Sequence, residues 1–274
     1  MTTVDALGKE RSLIAWLGRA GSVLIGYSGG VDSAYLACVA VETLGPDHVL
    51  AVTGRSASYP DSQWSAAREV AQQFAIPTLV IDTDEMNDHR YAANPANRCY
   101  YCKTTLWGKL TPIARERGAV VLDGTNADDL AEHRPCAAAG REHGVASPLA
   151  LVGLTKAEIR ERSRDRGIPT WNQPSAPCLA SRIPHGTPVT VGRLRAVERA
   201  EQGLREIGVA GNLRVRHHGE VARVELDRDQ IDRWLTPSNR AALEEAVRRA
   251  GYESVIVDPA GYRTGGADAT LSRA

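Results

Sequence analysis

The feature that most constrains this chain is a short apolar run that leads through two glycines into a helical pattern. Residues 23–26 read as a strand, Gly29 and Gly30 as a tight turn, and residues 34–44 as a helix. Glycine lets the backbone turn sharply and lie close to a ligand. Because the turn ends at a helix N-terminus, its free N–H groups point toward any bound anion. The sequence therefore predicts an anion-binding loop between a strand and a helix.

The loop itself reads Ser28-Gly-Gly-Val-Asp-Ser33. Its serines add hydroxyl donors, and its carboxylate is a ligand type that Mg²⁺ prefers. The pattern resembles the PP-loop of the ATP pyrophosphatases, which bind ATP and release pyrophosphate while they adenylate a substrate. It is not the Walker loop, because no Gly-Lys-Ser/Thr follows. The alternative is an ordinary glycine turn. The resemblance implies that Asp32 holds Mg²⁺ and that ATP contacts Ser28, Gly29, Gly30, Val31, Asp32 and Ser33.

The balanced composition argues against several classes of partner. The 274 residues contain 33 Lys and Arg and 33 Asp and Glu, so no overall field attracts nucleic acid or an anionic membrane. No apolar run approaches the length of a membrane span, and residues 1–10 lack the apolar core of a signal peptide. We therefore expect a cytoplasmic protein without membrane or nucleic-acid partners. Five cysteines in such a chain favour thiols that are reduced, metal-bound or catalytic.

Strand and helix patterns alternate on both sides of the loop. This alternation predicts an α/β fold with a doubly wound parallel sheet, of the adenine nucleotide alpha hydrolase type that the PP-loop resemblance implies. A capping box of Thr155 and Glu158 predicts a helix start. The further predicted strands are residues 48–53, 77–82 and 119–123, and the further helices are residues 11–19, 62–74, 103–117 and 155–166.

Polar residues follow two of the predicted strands. In open α/β sheets, ligands bind beyond the carboxyl ends of the strands. We therefore add a second set of residues to the predicted ATP site, namely Arg55, Ser56, Gly124, Thr125, Asn126 and Asp128.

The composition changes after about residue 186, and we predict a PP-loop domain over 1–185 and a smaller α+β domain over 186–274. Helices over 190–207 and 237–250 and strands over 212–216, 221–226 and 253–258 predict an antiparallel sheet, with a role in substrate binding or oligomerisation. Arg214 and Arg216 alternate with apolar residues and therefore share one strand face. This face is either a phosphate clamp or a solvated charged surface.

The cysteines leave several interpretations open. Cys99 and Cys102 form a C-x-x-C pair, which alone is consistent with zinc, a redox dithiol, a cluster or coincidence. Cys178 lies in a proline-framed loop beside Ser181 and Arg182, where a cation can stabilise a thiolate. Three cysteines that hold an iron–sulfur cluster leave one iron without a protein ligand. Cys38 is predicted to lie in the core and Cys136 in a loop.

Five segments narrow the resemblance to one branch of the superfamily, the LarE family of ATP-dependent sulfur transferases. They are Ser28-Gly-Gly-Val-Asp-Ser33, Asn97-Arg-Cys-Tyr-Tyr-Cys-Lys103, Leu122-Asp-Gly-Thr-Asn126, Pro177-Cys-Leu-Ala-Ser-Arg-Ile-Pro184 and Leu213-Arg-Val-Arg216.

Members of this family adenylate a carboxylate of a pyridinium bis-carboxylate mononucleotide and convert it to a thiocarboxylate, in the synthesis of the nickel-pincer nucleotide cofactor. The resemblance implies the three-cysteine variant, in which Cys99, Cys102 and Cys178 hold a 4Fe-4S cluster. It also implies catalytic roles for Cys178, Asp32 and Lys103. A nucleotide substrate, partner enzymes of the same pathway and a homo-oligomer are implied as well. The substrate phosphate is assigned to Arg182, Arg214 and Arg216.

Three alternatives stay open. A PP-loop enzyme that thiolates tRNA also combines this loop with a three-cysteine cluster, but it would need a basic RNA surface or an added module. Amide-forming relatives such as the NAD and GMP synthetases would not need the cysteines. A nucleotide-binding protein with a structural zinc and no turnover would release no pyrophosphate.

Overall fold

A computed structural model describes residues 5–131, 136–174 and 176–263. Within these residues the helices are α1 (Ala6–Ala20), α2 (Val31–Leu44), α3 (Asp61–Gln73), α4 (His89–Ala92), α5 (Arg98–Glu116), α6 (Cys136–Glu142), α7 (Pro148–Leu151), α8 (Lys156–Asp165), α9 (Val191–Glu206), α10 (Arg228–Trp234) and α11 (Pro237–Arg249). The strands are β1 (Val23–Gly26), β2 (Val49–Arg55), β3 (Thr78–Asp82), β4 (Val120–Leu122), β5 (Leu213–His218), β6 (Val221–Leu226) and β7 (Ser254–Val257). None of the described helices is both long and apolar enough to cross a membrane.

The chain forms two compact units, and the first is discontinuous in sequence. The first unit comprises Met1–Glu85 and Asn97–Ala176, and the second comprises Met86–Ala96 and Pro177–Ala274. The division after residue 176 comes earlier than the predicted boundary at 185. The short segment Met86–Ala96, with α4, also groups with the C-terminal residues. Asn94 explains this grouping, because its side-chain amide donates to the carbonyls of Ile183, Pro184 and Thr187 at 2.8–3.3 Å.

The first unit contains the predicted parallel sheet. Its four strands have the order β3-β2-β1-β4, and every neighbouring pair is parallel. The chain moves outward from β1 to β2 and β3, and then returns to the other side of β1 with β4. The carboxyl ends of β1 and β4 therefore mark the point where the strand order reverses, which is where open α/β sheets bind ligands.

Helices cover both faces of this sheet, as the doubly wound prediction requires. Val23 and Ile25 of β1 point into the core formed with α1 and α2, whereas Leu24 points into the core formed with α5. This alternation follows from the two-residue period of a strand. Because both faces are buried, the strand reads as a continuous apolar run.

Helix α5 begins earlier than the predicted residue 103. It starts at Arg98, so Cys99 and Cys102 lie in its first two turns. The Tyr100 hydroxyl donates to Glu142 Oε2 of α6 at 2.7 Å, which anchors this first turn to the neighbouring helix.

Ion pairs attach α8 to the two helices at the start of the chain. The Glu10 carboxylate of α1 is buried and accepts from Arg162 Nη2 at 3.0 Å and from Arg166 Nε at 3.1 Å. The Tyr35 hydroxyl of α2 donates to the same carboxylate at 2.7 Å. The predicted capping box is present, since Thr155 and Glu158 cap the start of α8 reciprocally. These contacts fix the position of the N-terminal turn of α8 relative to α2.

The second unit contains a three-stranded mixed sheet in the order β5-β6-β7. Strands β5 and β6 form the predicted antiparallel hairpin, but β6 and β7 are parallel. The prediction of an entirely antiparallel sheet is therefore wrong. Helices α10 and α11 connect β6 to β7, and a connection of this length can return the chain to run in the same direction. Helices α9 and α11 and this sheet bury the unit's own core around Val215, Val224 and Leu243.

Candidate active site

The glycine loop after β1 adopts a conformation that requires glycine at its centre. Gly29 has a φ of +68°, and a Cβ atom placed there would lie 2.3 Å from the Ala67 Cβ of α3. A larger residue would be strained both by its backbone angle and by this contact. Gly30 then caps α2, with its own backbone extended. The chain thus turns directly from the sheet into the N-terminus of α2.

Hydrogen bonds within the loop fix its two serines. Ser33 Oγ donates to the Gly30 carbonyl at 3.1 Å and accepts from the Ser28 N–H at 3.2 Å. The two serine hydroxyls are 3.1 Å apart. The loop is therefore ordered by its own side chains before any ligand binds.

Helix α3 and Tyr59, two residues before it, support the loop through hydrogen bonds. The Ser28 carbonyl accepts from the Tyr59 hydroxyl at 2.9 Å and from Gln63 Nε2 at 2.8 Å. The Tyr27 hydroxyl donates to the Ala67 carbonyl at 2.9 Å. These three donors lie outside the loop motif, and sequence reasoning missed them because no local pattern links residue 28 to residues 59 and 63.

The segment after β4 forms the opposite wall of the site. A Cβ atom on Gly124 would lie 3.1 Å from the Ser33 N atom, so this backbone packs against the start of α2. Asp123 accepts from the Thr125 N–H and hydroxyl, and Asn126 Oδ1 accepts from the Asp128 N–H at 2.9 Å. These side chains therefore stabilise the turn after β4 by hydrogen bonds within that turn. The backbone of the turn lies beside the glycine loop.

Asp32 pairs with Lys156, the first residue of α8. The Asn126 amide also lies 3.5 Å from Asp32 Oδ1. Sequence reasoning missed Lys156, although one signal was present. A lysine at the first position of a helix faces the positive end of the helix dipole, which is unfavourable unless the lysine serves another contact.

A cavity of about 500 Å³ opens at this edge of the sheet, within the usual size of small-molecule sites. The loop contributes Ser28, Asp32 and Ser33, and helix α5 contributes Lys103 and Trp107. The Lys103 ammonium lies 5.0 Å from the centre of the Trp107 ring, a cation–π contact that orients it. The remaining lining residues are Gly26, Asp123, Gly124, Thr125, Asp129, Leu130, Cys136, Ala137, Ala138 and Arg141.

Magnesium fits the donors of this cavity. In nucleotide sites Mg²⁺ is held by one or two carboxylates together with phosphate oxygens. Asp32 faces the cavity and is only partly buried, so it would serve as such a ligand. Within the described residues, no group of three or more His, Cys, Asp or Glu side chains is arranged to hold a metal ion.

Arg55 and Ser56, both predicted to contact ATP, have partners away from the loop. Arg55 forms an ion pair with Asp61 at 3.0 Å. The Ser56 hydroxyl donates to Glu85 Oε1 at 2.5 Å, and Glu85 is buried. Neither residue is among the described residues that line the cavity. Their roles toward ATP stay predictions.

The cysteines separate into different environments. Cys99 is exposed and Cys102 is half-buried, both in the first two turns of α5, and their spacing of three places both thiols on one helix face. Cys178 is half-buried in the second unit. The first unit thus supplies two of the three thiols of the predicted cluster, and cluster binding stays a prediction.

The two remaining cysteines have contrasting positions. Cys38 is buried in the core, as predicted, and burial raises the pKa of its thiol to about 12. Cys136 begins α6 and lines the cavity, so its interpretation as a loop thiol is wrong.

The predicted phosphate residues of the second unit belong to a buried arginine cluster, formed by Arg182, Arg214, Arg216 and Arg223. The alternative of a solvated charged face is wrong, because all four side chains are buried. Arg214 and Arg216 do share one face of β5, as the alternation predicted, with Glu225 and Arg223 opposite them on β6.

Carboxylates compensate most of this buried charge. Glu225 Oε2 accepts from Arg216 Nη2 at 2.7 Å, and its Oε1 accepts from Arg223 Nη2 at 3.1 Å. Arg182 pairs with Glu201 at 2.9 Å, and its Nη1 donates to the Cys178 carbonyl at 3.2 Å. Arg182 therefore holds the backbone of the Cys178 loop.

Arg214 differs electrostatically from its neighbours. Its guanidinium lies 5.1 Å from the centre of the Tyr262 ring and donates to the Leu213 carbonyl. Burial lowers the pKa of Arg214, and the positive charge of Arg182 lowers it further. For Arg182, burial also favours a lower pKa, but the Glu201 carboxylate outweighs burial and raises it.

Comparisons with known proteins cover nearly the whole chain. Residues 14–122 match the family model of NAD synthase. The chain is 38% identical to an uncharacterized protein of Synechocystis sp., over 97% of this chain and 98% of that protein. It is 30% identical to the pyridinium-3,5-bisthiocarboxylic acid mononucleotide synthase of Lactiplantibacillus plantarum, over 97% of this chain and 96% of that protein.

The NAD synthase match ends before Cys178 and the arginine cluster. It therefore supports a shared nucleotide-binding fold and does not extend to those residues. The match to the mononucleotide synthase continues through both units. Because that similarity extends along almost the full length of both proteins, the chain belongs to the LarE family of ATP-dependent sulfur transferases, within the PP-loop ATP pyrophosphatase superfamily.

Proposed function

We propose that this enzyme adenylates a carboxylate of a pyridinium bis-carboxylate mononucleotide and converts it to a thiocarboxylate, as a step in nickel-pincer nucleotide synthesis. The observation that carries the proposal is the cavity at the carboxyl edge of the sheet. The cavity joins the PP-loop to Lys103. The chain is also similar, over 97% of its length, to a pyridinium-3,5-bisthiocarboxylic acid mononucleotide synthase. We place the enzyme in the cytoplasm, as a homo-oligomer that works with other enzymes of the same pathway.

Adenylation solves a chemical problem for the substrate. A carboxylate is a poor electrophile, and its acyl-adenylate has AMP as a leaving group. The N–H groups and serine hydroxyls at the start of α2 are ordered in advance, so they stabilise the charge on the departing pyrophosphate without rearrangement. Asp32 would hold Mg²⁺ beside the phosphates, and Lys103 would contact the phosphate or the acyl-adenylate.

Lys156 is part of this proposal as the partner of Asp32. Its ammonium neutralises the carboxylate in the unliganded site. If Asp32 held a metal ion, the Lys156 ammonium would be available to a phosphate of the nucleotide. Lys156 would therefore exchange one anionic partner for another as ATP and Mg²⁺ bind.

Sulfur transfer is assigned to the cysteines. Cys99, Cys102 and Cys178 would hold a 4Fe-4S cluster whose open iron carries the sulfur to be transferred. Arg182 would keep the Cys178 loop in place through its backbone contacts. The phosphate of the mononucleotide substrate would bind to Arg182, Arg214 and Arg216, since a guanidinium group forms bidentate hydrogen bonds with phosphate oxygens.

Pyrophosphate release that depends on the pyridinium substrate tests the adenylation step. We expect Asp32→Asn to abolish it, and Asp47→Asn to leave it unchanged. Asp47 is an exposed carboxylate that precedes β2, so its variant controls for the loss of one negative charge. Equal release by the wild type and Asp32→Asn would refute the assignment. Release stimulated by tRNA instead of the mononucleotide would favour a tRNA thiolase, and no release would favour a binding protein.

Anaerobic purification tests the sulfur source. If the three cysteines hold one cluster, Cys99→Ala, Cys102→Ala and Cys178→Ala should each lower iron content and activity together, and sulfide should support repeated turnover. Other members of the family use a single cysteine that gives up its own sulfur and is left as dehydroalanine. If Cys178 acts in this way, activity should stop after one turnover and Cys99→Ala should still support that turnover. Zinc without iron, together with full activity, would refute the cluster.

A further inference from the structure

The PP-loop of this chain supplies no formal positive charge of its own. Residues 27–34 contain no lysine or arginine. Lys156 contacts the loop, but its ammonium is paired with the Asp32 carboxylate. A triphosphate carries several negative charges, and dipoles alone leave most of that charge uncompensated. A bound Mg²⁺ ion would compensate part of this charge, and cationic side chains that line the cavity would compensate more of it.

Two cationic side chains are found among the described residues that line the cavity, Lys103 of α5 and Arg141 of α6. Lys103 already has a proposed role. Arg141 is exposed, while Ala139 and Gly140 beside it are buried. Ala137 and Ala138 precede Arg141 by four and three residues, so the three residues share one helix face, and all three line the cavity. The small alanines leave space, and the long Arg141 side chain lies at the end of this face.

Helix α6 is held in place independently of Arg141. The carboxylate of Glu142 accepts from the Tyr100 hydroxyl of α5 at 2.7 Å. The Glu142 carboxylate, next to Arg141 in sequence, therefore bonds to α5. Arg141 is thereby presented on a fixed helix, and a guanidinium matches phosphate oxygens in two-pronged geometry.

We propose that Arg141 binds the β- and γ-phosphates of ATP, across the cavity from the PP-loop. This inference rests on the ATP-binding part of the proposed function. In the adenylation step a carboxylate oxygen of the acceptor attacks the α-phosphorus, the bond from that phosphorus to the bridging oxygen breaks, and its electron pair leaves with pyrophosphate. Arg141 stabilises the negative charge that develops on this leaving group.

Binding of α,β-methylene ATP in the presence of Mg²⁺, measured by calorimetry, tests the proposal without any acceptor. We expect Arg141→Ala to weaken this binding about tenfold or more, as for loss of one charge-assisted contact. Arg141→Lys should recover part of the affinity. Binding of AMP, which lacks the β- and γ-phosphates, should be unchanged in both variants.

Arg117→Ala is the matched control. Arg117 is an exposed arginine of the same unit that lies near Ser22 and His48, at the amino edge of the sheet. Its loss removes the same charge far from the loop, and we expect no change in nucleotide binding. Unchanged binding of the ATP analogue by Arg141→Ala would overturn the proposal. Equal weakening by Arg117→Ala, or equal weakening of AMP and analogue binding, would also overturn it.

Two further outcomes separate this inference from the proposed function. A raised KM for the acceptor with unchanged ATP-analogue affinity would assign Arg141 to the acceptor and overturn the phosphate assignment. Absence of pyrophosphate release by the wild type with the pyridinium substrate would refute the proposed acceptor. The analogue-binding result would still decide the role of Arg141.

Discussion

The two regions expected to bind anions, the PP-loop of the first unit and the arginine cluster of the second, are built by opposite means. The PP-loop presents backbone N–H groups and hydroxyls and contains no cationic side chain. The cluster buries four guanidinium groups, and among the described residues the carboxylates of Glu201, Glu225 and Asp258 pair with its members. Burying ions costs much more than burying hydrogen-bonded dipoles. The loop therefore depends on backbone conformation, whereas the cluster depends on charge compensation.

This difference has a consequence for ligand binding. An anion at the PP-loop meets backbone and hydroxyl donors that are already oriented. An anion at the cluster meets guanidinium groups that already share carboxylates. Mutations should therefore act on the loop through geometry and on the cluster through uncompensated charge.

The largest effect is expected at the centre of the cluster. Glu225→Gln leaves the buried Arg216 and Arg223 without their shared carboxylate, and we expect the free energy of unfolding to fall by about 3–5 kcal/mol. Glu244→Gln, on the exposed side of α11, also removes a carboxylate that pairs with two arginines. It should cost only about 0.3–0.5 kcal/mol. Denaturant unfolding measures the free energy of unfolding of both variants. Equal losses would show that the buried carboxylate of the cluster is no more important for stability than an exposed one.

The next effect concerns the backbone of the loop. Gly29→Ala introduces a strained φ and a contact with Ala67, so we expect a loss of about 2–4 kcal/mol together with loss of ATP binding. Gly21→Ala is the control, since Gly21 has a φ of +75° with no atom within 4 Å of its Cβ position. It should cost about 1–2 kcal/mol and leave ATP binding intact. Intact ATP binding by Gly29→Ala would show that the loop does not need this geometry.

A buried carboxylate with two arginines also occurs in the first unit, at Glu10. Burial favours a raised pKa, but hydrogen bonds from Arg166 and Arg162 outweigh it and lower the pKa of Glu10 to about 2. A lowered pKa stabilises the fold above the unfolded value of about 4.3, and this contribution is lost as pH falls from about 5 toward 2. It amounts to roughly 2–3 kcal/mol. Unfolding free energies between pH 7 and pH 3 should therefore fall more steeply for the wild type than for Glu10→Gln, and parallel curves would contradict this.

The smallest effect is expected for the hydrogen bond between the Tyr59 hydroxyl and the Ser28 carbonyl. Tyr59→Phe removes one of the two donors to the Ser28 carbonyl, and Gln63 keeps the other. We expect a cost of about 0.5–1.5 kcal/mol, measured as a raised KM for ATP with a nearly unchanged kcat. Tyr262→Phe, in the second unit, should leave the KM for ATP unchanged. A lowered kcat with unchanged KM in Tyr59→Phe would show that the contact acts on chemistry and not on loop position.

Local patterns predicted most of the secondary structure. The apolar runs at β1, β2 and β3 and the capping box of α8 depend on neighbouring residues alone, and each lies where the patterns placed it, within a few residues. The start of α5 and the parallel pairing of β7 were missed, because both depend on distant partners. Tyr100 reaches Glu142 to anchor α5, and β7 pairs with β6 after two intervening helices.

The candidate site shows the same division. The sequence by itself determined the phosphate-binding loop, since Ser28, Gly29 and Asp32 specify its turn, its donors and its carboxylate within six positions. Only the tertiary structure decided which side chains surround that loop. Lys156 meets Asp32 because α8 packs against α1 and α2, Tyr59 and Gln63 reach Ser28 because α3 follows the neighbouring strand, and Arg141 enters the cavity because α6 packs on α5. Such contacts join residues far apart in the chain, where no spacing or period records them, and they form only when burial of apolar surface brings the elements together.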